Sequence, residues 1–191
     1  KNALKRSGFF EGVDIQEQRV SEDKINLLVT VQEARTGNIM VGGGYGSYDK
    51  LMINAGINDK NIFGSGINLG FSVDKSSRRQ NYNISVSNPA INDSKYSGSF
   101  NVFNRQSQYD DDYKDNSNGF SLGVGKKFSR HTSGFVNYRY SLTDRDYSSS
   151  TLSSGQIDGR WITSSITPSI SYNNTDDYYI PRSGNQAQTS L

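Results

Sequence analysis

The feature that most limits what this chain can become is a strict two-residue alternation of apolar and polar side chains, repeated segment after segment. In Leu51–Asn58, Leu51, Ile53, Ala55 and Ile57 share one face, while Asn54, Gly56 and Asn58 take the other. In Ile67–Asp74, Ile67, Leu69, Phe71 and Val73 oppose Asn68, Gly70, Ser72 and Asp74. Tyr82, Ile84 and Val86 oppose Asn83, Ser85 and Ser87, and the same spacing groups Tyr96, Phe100 and Val102, then Phe120, Leu122 and Val124. Val136, Tyr138, Tyr140 and Leu142 follow, and then Ile162, Ile166, Ile170 and Tyr172. Side chains on a strand point to opposite faces in turn, so a sustained period of two specifies β-strands.

Two architectures share that pattern. A soluble sandwich buries one sheet face under another, whereas a transmembrane barrel turns its apolar face to lipid and its polar face to the lumen. The polar positions here are mainly Asn, Ser and Gly with few Lys or Glu, unlike the charged face that a soluble sheet presents to water. Aromatics (Phe63, Tyr82, Tyr96, Tyr138, Tyr140, Tyr172) fall near segment ends, as in the girdles of a membrane barrel. The barrel is the favoured reading, with the sandwich as its rival.

Composition fits the same choice. The 191 residues include 19 Gly, 12 Tyr and 9 Phe but only 3 Pro. The mean hydropathy is −0.72 and no long apolar run occurs. That excludes a transmembrane helix, which needs about 20 apolar residues, and says nothing against spanning strands. The net charge of +2 and scattered basic pairs do not form a nucleic-acid stripe. With no cysteine and a single His131, neither a disulfide framework nor a zinc site can be assembled. No nucleophile site or paired carboxylates suggest catalysis, and no cofactor is expected.

The connections read SYDK, NDKNIFGSG, DKSSRRQ, NPAINDSK, QSQYDDDYKDNSN, FSRHTS, DRDYSSSTLSSGQID and NTDDYYIPRSG. The odd members include the two long polar ones, so they are expected as outer loops, with short turns on the other side. Asp110, Asp111, Asp112 and Asp115 lack the order, the central Gly and the closing Glu of a calcium loop, and are expected in an exposed loop, as are Asp144, Asp146 and Asp158. Residues 1–35 differ in texture. A helix end over Asn2–Gly8 and strands through Gly12–Val20 and Ile25–Glu33 read as part of a small α+β module. The expected division is therefore 1–35 and 36–191, with eight strands in the second part and a ninth beginning near Asn185. The chain reads as a piece of something larger.

One segment resists the simple pattern: Gly37, Asn38, Ile39, Met40, Val41, Gly42, Gly43, Gly44, Tyr45 and Gly46. A phosphate-binding loop needs its glycines between a strand and a helix, with Lys-Ser or Lys-Thr following in the P-loop case. Neither follows here. What remains is a strand with Ile39, Val41 and Tyr45 on one face and Gly42, Gly44 and Gly46 on the other, poor in packing and expected to give up its pairing easily.

Several stretches together resemble the BamA family of outer-membrane β-barrel assembly factors and their translocase relatives. Leu4–Gln18 resembles the closing part of a POTRA domain, and Ile25–Ser47 the junction from the last POTRA strand into the first barrel strand. Asn61–Gly66 and Val86–Ile91 resemble the first two periplasmic turns, and Tyr172–Gly184 the turn after the eighth strand. The resemblance implies a mainly β protein: a POTRA remnant in the periplasm, then the first half of a barrel of about sixteen antiparallel strands in the cell outer membrane. It implies no enzyme. The implied role is folding and inserting β-barrel clients through a lateral gate at Gly37–Gly46. Implied partners are unfolded outer-membrane protein clients, outer-membrane lipids and periplasmic assembly lipoproteins, with no nucleic acid. A polypeptide-secretion pore of the same family and a passive porin-like channel are the alternatives.

Overall fold

The computed structural model describes residues 9–21, 24–109, 112–148, 157–175 and 182–191. The described strands are β1 (Phe10–Ser21), β2 (Lys24–Glu33), β3 (Gly37–Gly46), β4 (Lys50–Asp59), β5 (Asn68–Lys75), β6 (Arg79–Asn88), β7 (Tyr96–Tyr109), β8 (Tyr113–Lys127), β9 (Thr132–Tyr147), β10 (Gly159–Asn173) and β11 (Gln186–Ser190). Single 3-10 turns at Ile62–Gly64 and Ile91–Asp93 occupy two connections. β1 and β2 form a separate antiparallel ribbon. β3 to β11 form one nine-stranded antiparallel sheet in which every strand lies beside its neighbours in sequence. The helix end expected over Asn2–Gly8 lies outside the described residues.

The sheet is a single layer. Among the described residues only Val13 and Phe103 are buried apolar side chains, while Ile39, Val41 and Tyr45 are 75–78% exposed. The sandwich alternative fails here, because among the described residues the other sheet, the β1–β2 ribbon, does not pack as a layer on the nine-stranded one.

Cross-strand register shows how the alternation becomes a surface. One row of directly opposed residues runs Ile39, Ile57, Phe71, Ile84, Val102, Phe120, Tyr140. A parallel row starts apolar at Ile53 but continues through Lys75, Gln80, Gln106, Asn116 and Asp144 to Arg160. The apolar band therefore crosses the rows obliquely. The Ile57 row meets β10 at Ser164, eight residues short of Tyr172 where the band ends (172 − 164 = 8). Strands tilted by about 40° in a barrel wall carry a level band about 4 Å, a little over one residue, further along each successive strand. Over six strands that is about seven residues. The lower edge of the band follows that slope, and the upper edge, from Leu51 to the Ile162 row, moves by less. The band is level only if the strands are tilted, as in a partial β-barrel.

Two expectations about the connections are corrected. The polar stretch after β7 is not a long loop. Gln106–Tyr109 and Tyr113–Asn118 are ladder, closing at the pair Tyr109–Tyr113. Asp144–Tyr147 likewise belongs to β9. Asp115 and Asp144 are thus ladder residues, Asp115 taking two 2.6 Å hydrogen bonds from Arg145 and Asp144 pairing with Arg160. Asp146 is in β9 too, and Asp158 accepts the Tyr147 N–H at 2.8 Å. Once a strand leaves the apolar band it needs no apolar residues, so the alternation that marks strands in the sequence fades while the hydrogen-bonded ladder continues. Asp110, Asp111, residues 149–156 and residues 176–181 lie outside the described residues. Among the described connections the expected asymmetry of short and long does not hold: Ser47–Asp49 and Ser76–Arg78 are tight, while residues 60–67 and 89–95 on the opposite side are longer. Tyr138 and Tyr140 also stand mid-strand, opposite Leu122 and Phe120, and not at a girdle.

On the polar face, ring faces replace missing side chains. A Cβ at Gly123 would collide with the Phe135 ring and Ser99 Oγ, and one at Gly125 would come 2.9 Å from the same ring. A Cβ at Gly119 would reach the Phe103 ring at 2.7 Å, and the Arg139 guanidinium stacks 4.5 Å over that ring. These β8 glycines make room for aromatics of β7 and β9. Gly123→Val should destabilise the folded barrel by about 1–3 kcal/mol through overpacking. Heat-modifiability of the full-length protein on gels should show less folded band for Gly123→Val than for Val124→Ile on the other face.

Candidate functional site

The candidate site is β3 and what surrounds it. Gly37–Gly46 is extended throughout and pairs without a bulge along ten positions of β4, from Gly37–Asp59 to Gly46–Lys50. A strand conformation with no helix behind it removes the phosphate-loop reading. β3 ends the sheet order, so among the described residues β4 is its only strand neighbour. Alternate residues of an antiparallel strand aim their N–H and C=O away from the partner. β3 therefore offers a row of backbone donors and acceptors along its free edge.

The glycines of β3 have a packing cause that the sequence does not show. A Cβ at Gly42 would collide with the Asn54 carboxamide, which lies across the strand from β4. Gly44 and Gly46 sit 3.5 and 3.8 Å, measured from an ideal Cβ, from the Met52 methyl. The polar-side surface of β3 is thus furnished by β4 side chains reaching over it. Gly42, Gly44, Met52, Asn54, Asp74 and Arg79 border a concavity of about 560 Å³ beside the strand. On the other face Ile39, Val41 and Tyr45 are open to the surroundings.

The β3–β4 hairpin is fixed to the rest of the sheet more lightly than its own two strands are fixed to each other. The β4–β5 ladder has seven residue pairs, Ile53–Lys75 to Asp59–Leu69. The β8–β9 ladder has fifteen. A clasp at the hairpin turn adds to those seven pairs, and a second one closes the hairpin's own open end. At one end the hairpin turn closes through Lys50 at φ 59°, a left-handed conformation that a lysine adopts at some cost. Beside it, Asp49 receives Arg79 Nε at 3.2 Å and Ser76 Oγ at 3.4 Å, and its carbonyl accepts the Ser77 N–H at 3.2 Å. The Arg78 guanidinium stacks 4.6 Å over the Tyr48 ring. At the other end Asp59 accepts the Thr36 hydroxyl at 2.7 Å and the Asn61 N–H at 2.8 Å. Asn61 Oδ1 in turn accepts the Gly66 N–H at 2.6 Å, holding the turn in which Gly64 and Gly66 have φ of 71° and 72°.

Every residue singled out from the sequence, Gly37 through Gly46, lies on this one strand. The clasp residues Asp49, Arg78, Arg79, Thr36 and Asp59 were not singled out. Apart from the local bond from Asn61 to Asp59, their contacts join positions more than twenty residues apart.

Residues 61–191 match the model of the Omp85 superfamily domain. Among curated relatives, the chain is 30% identical over 148 residues to the outer membrane protein assembly factor BamA of Nitratidesulfovibrio vulgaris, covering 75% of this chain and 18% of that protein. It is 30% identical over 186 residues to the protein of the same name from Neorickettsia risticii, covering 93% of this chain and 24% of that one. The chain thus spans at most about a quarter of the length of these relatives. Among solved structures, BamA from Haemophilus ducreyi lacking POTRA domains 1–3 shares the fold at a TM-score of 0.70 and 24% identity, over all of this chain and 40% of that one. CdiB from Acinetobacter baumannii does so at 0.63 and 16%, over 98% and 39%.

The Asp49 clasp makes a separate prediction. Its Arg79 partner is 64% exposed, so the ion pair contributes about 1 kcal/mol or less. In the full-length protein, Asp49→Ala should speed amide hydrogen exchange in Gly37–Gly46 by about fivefold or less while leaving β8 unchanged. Equal exchange in β3 of both proteins would remove the clasp from the account.

Proposed function

Because the chain belongs to the Omp85 superfamily, we propose that it is the gate-bearing part of an outer-membrane protein assembly factor, in which β3 receives client strands. The coarse statement, an outer-membrane β-barrel protein of this superfamily, rests on the relatives and the fold. The assembly role is taken from the name that those relatives carry.

The observation that carries the finer reading is the free edge of β3. Inside a bilayer an unpaired N–H or C=O costs several kcal/mol, so a client strand can enter lipid only if its backbone is paired as it enters. β3 offers that pairing by strand addition. Its apolar face, Ile39, Val41 and Tyr45, continues the band of β4 and β5, so a client added here would meet lipid on the same side. The short ladder to β5 lets the whole hairpin yield while its two strands stay together. In the full-length barrel β3 would rest against the closing strand and part from it to admit a client. No step of this needs a nucleotide, a metal or a covalent intermediate. The ribbon of β1 and β2 is assigned to the last POTRA domain, on the periplasmic side, where assembly lipoproteins would bind. A secretion pore of the same superfamily would use the same edge for a different cargo, and the curated relatives' name favours assembly.

A covalent tie between β3 and the strand that closes the barrel against it in the full-length protein should abolish assembly of client barrels in reconstituted vesicles. Unimpaired assembly by the tied protein would sink the gate. Val41→Pro removes one ladder donor from β3. At matched folded amounts it should reduce client assembly more than Val124→Pro does, and equal effects would count against a special role for β3.

A further inference from the structure

The polar rim above the apolar band is not uniform. Where β5, β6, β7 and β8 rise past Val73, Tyr82 and Val102, the same face continues with Lys75, Gln80, Gln106, Gln108 and Lys114. Register places them side by side. Lys75 opposes Gln80, Gln80 opposes Gln106, and Gln108 opposes Lys114. Arg78 joins them from the β5–β6 turn, its carbonyl accepting the Gln108 N–H at 2.7 Å. Together they line a concavity of about 200 Å³. Phosphate-sized anions fit such a space.

The charge balance is one-sided. Lys75 and Lys114 are exposed, and neither makes an ion pair with a described residue. Three of the nearby carboxylates are engaged elsewhere: Asp49 holds Arg79, Asp115 holds Arg145 and Asp144 holds Arg160. Asp146 stands opposite Lys114 in register, yet no ion pair joins them. Around the cations the amides of Gln80, Gln106 and Gln108 add donors without adding negative charge.

We propose that this rim, around Lys75, Arg78 and Lys114, holds the phosphate of an outer-leaflet lipid headgroup. The proposal rests on the outer-membrane reading given above. Its second support is continuity: a lipid whose acyl chains lie on Phe71, Ile84 and Val102 has its headgroup at the level of Lys75 and Gln80, one or two register steps beyond the apolar band. Two lysines lining one concavity give a phosphate charge-assisted hydrogen bonds, Arg78 adds positive charge beside them, and the glutamines complete the shell. The site lies next to the Asp49 clasp, since Ser76 and Arg79 border both, so a bound headgroup would brace the turn that holds the β3–β4 hairpin.

The test uses the full-length protein in detergent micelles and native mass spectrometry. The probes are lipid A with both phosphates, the same glycolipid with its phosphates removed, and inorganic phosphate. The unaltered protein should retain the phosphorylated lipid and release the other two. The double variant Lys75→Gln with Lys114→Gln should lose affinity for it by about tenfold or more. Lys126→Gln, at the opposite end of the sheet, should bind as the unaltered protein does. Gel heat-modifiability checks that the double variant folds. Undiminished binding by the folded double variant, or equal binding of the dephosphorylated lipid, would overturn the proposal. Inorganic phosphate displacing the lipid at equal concentration would overturn it too, assigning the site to a free anion. Client assembly is read separately on the same proteins. Lipid binding lost while assembly persists upholds the rim site alone, and binding unchanged while a β3 tie blocks assembly removes the rim site and leaves the gate.

Discussion

Backbone pairing is the constraint on which everything else here depends. A sheet in an apolar phase cannot leave N–H and C=O groups bare, so from β4 to β10 each strand is hydrogen-bonded on both sides. The chain then follows the simplest topology that achieves this, each strand beside the one before. The described ladder stops at two edges, β3 at one end of the sheet and the short β11 at the other. Of the two, β3 is the longer, ten residues against five, and so leaves the longer row of backbone groups open to a partner.

Side-chain alternation is the second layer of the same logic. Register transmits it from strand to strand, and the oblique course of the apolar band across the rows converts a local pattern into the tilt of a wall. The polar face is not merely a hydrated surface. Phe103 and Phe135 lie over β8 glycines, and Arg139 over Phe103, so the wall is stiffened from inside at mid-height. Above the band, Asp115 with Arg145 and Asp144 with Arg160 tie the tall strands together after the apolar contacts end.

The central stretches of β4 to β10 were legible in the sequence because lipid-side positions must be apolar and lumen-side positions need not be. The same rule hid the upper ends of β7, β8 and β9. Gln106–Tyr109 and Asp144–Tyr147 look like loop because nothing in an aqueous rim demands alternation, though cross-strand pairs such as Ser117 with Thr143 hold the ladder there. Gly37–Gly46 was recognisable as a strand by its place and its alternation, but the reason for its glycines was not, since Asn54 and Met52 are the atoms that fill the space. The Asp49 clasp and the Lys75–Lys114 rim were invisible for a related cause. Both are made by residues from different hairpins, brought together only by register.

The differing ladder lengths have a consequence for the order in which the wall assembles. β7 to β10 pair over fourteen or fifteen positions, whereas β4 and β5 pair over seven. Loop closure between neighbouring strands costs little, so the early gain goes to whichever hairpins can zip furthest. The tall hairpins are thus the natural nucleus, and pairing spreads from them to both ends of the sheet, to the β3–β4 hairpin on one side and to the five-pair β11 on the other. The proposed role of β3 would draw on that late and light attachment.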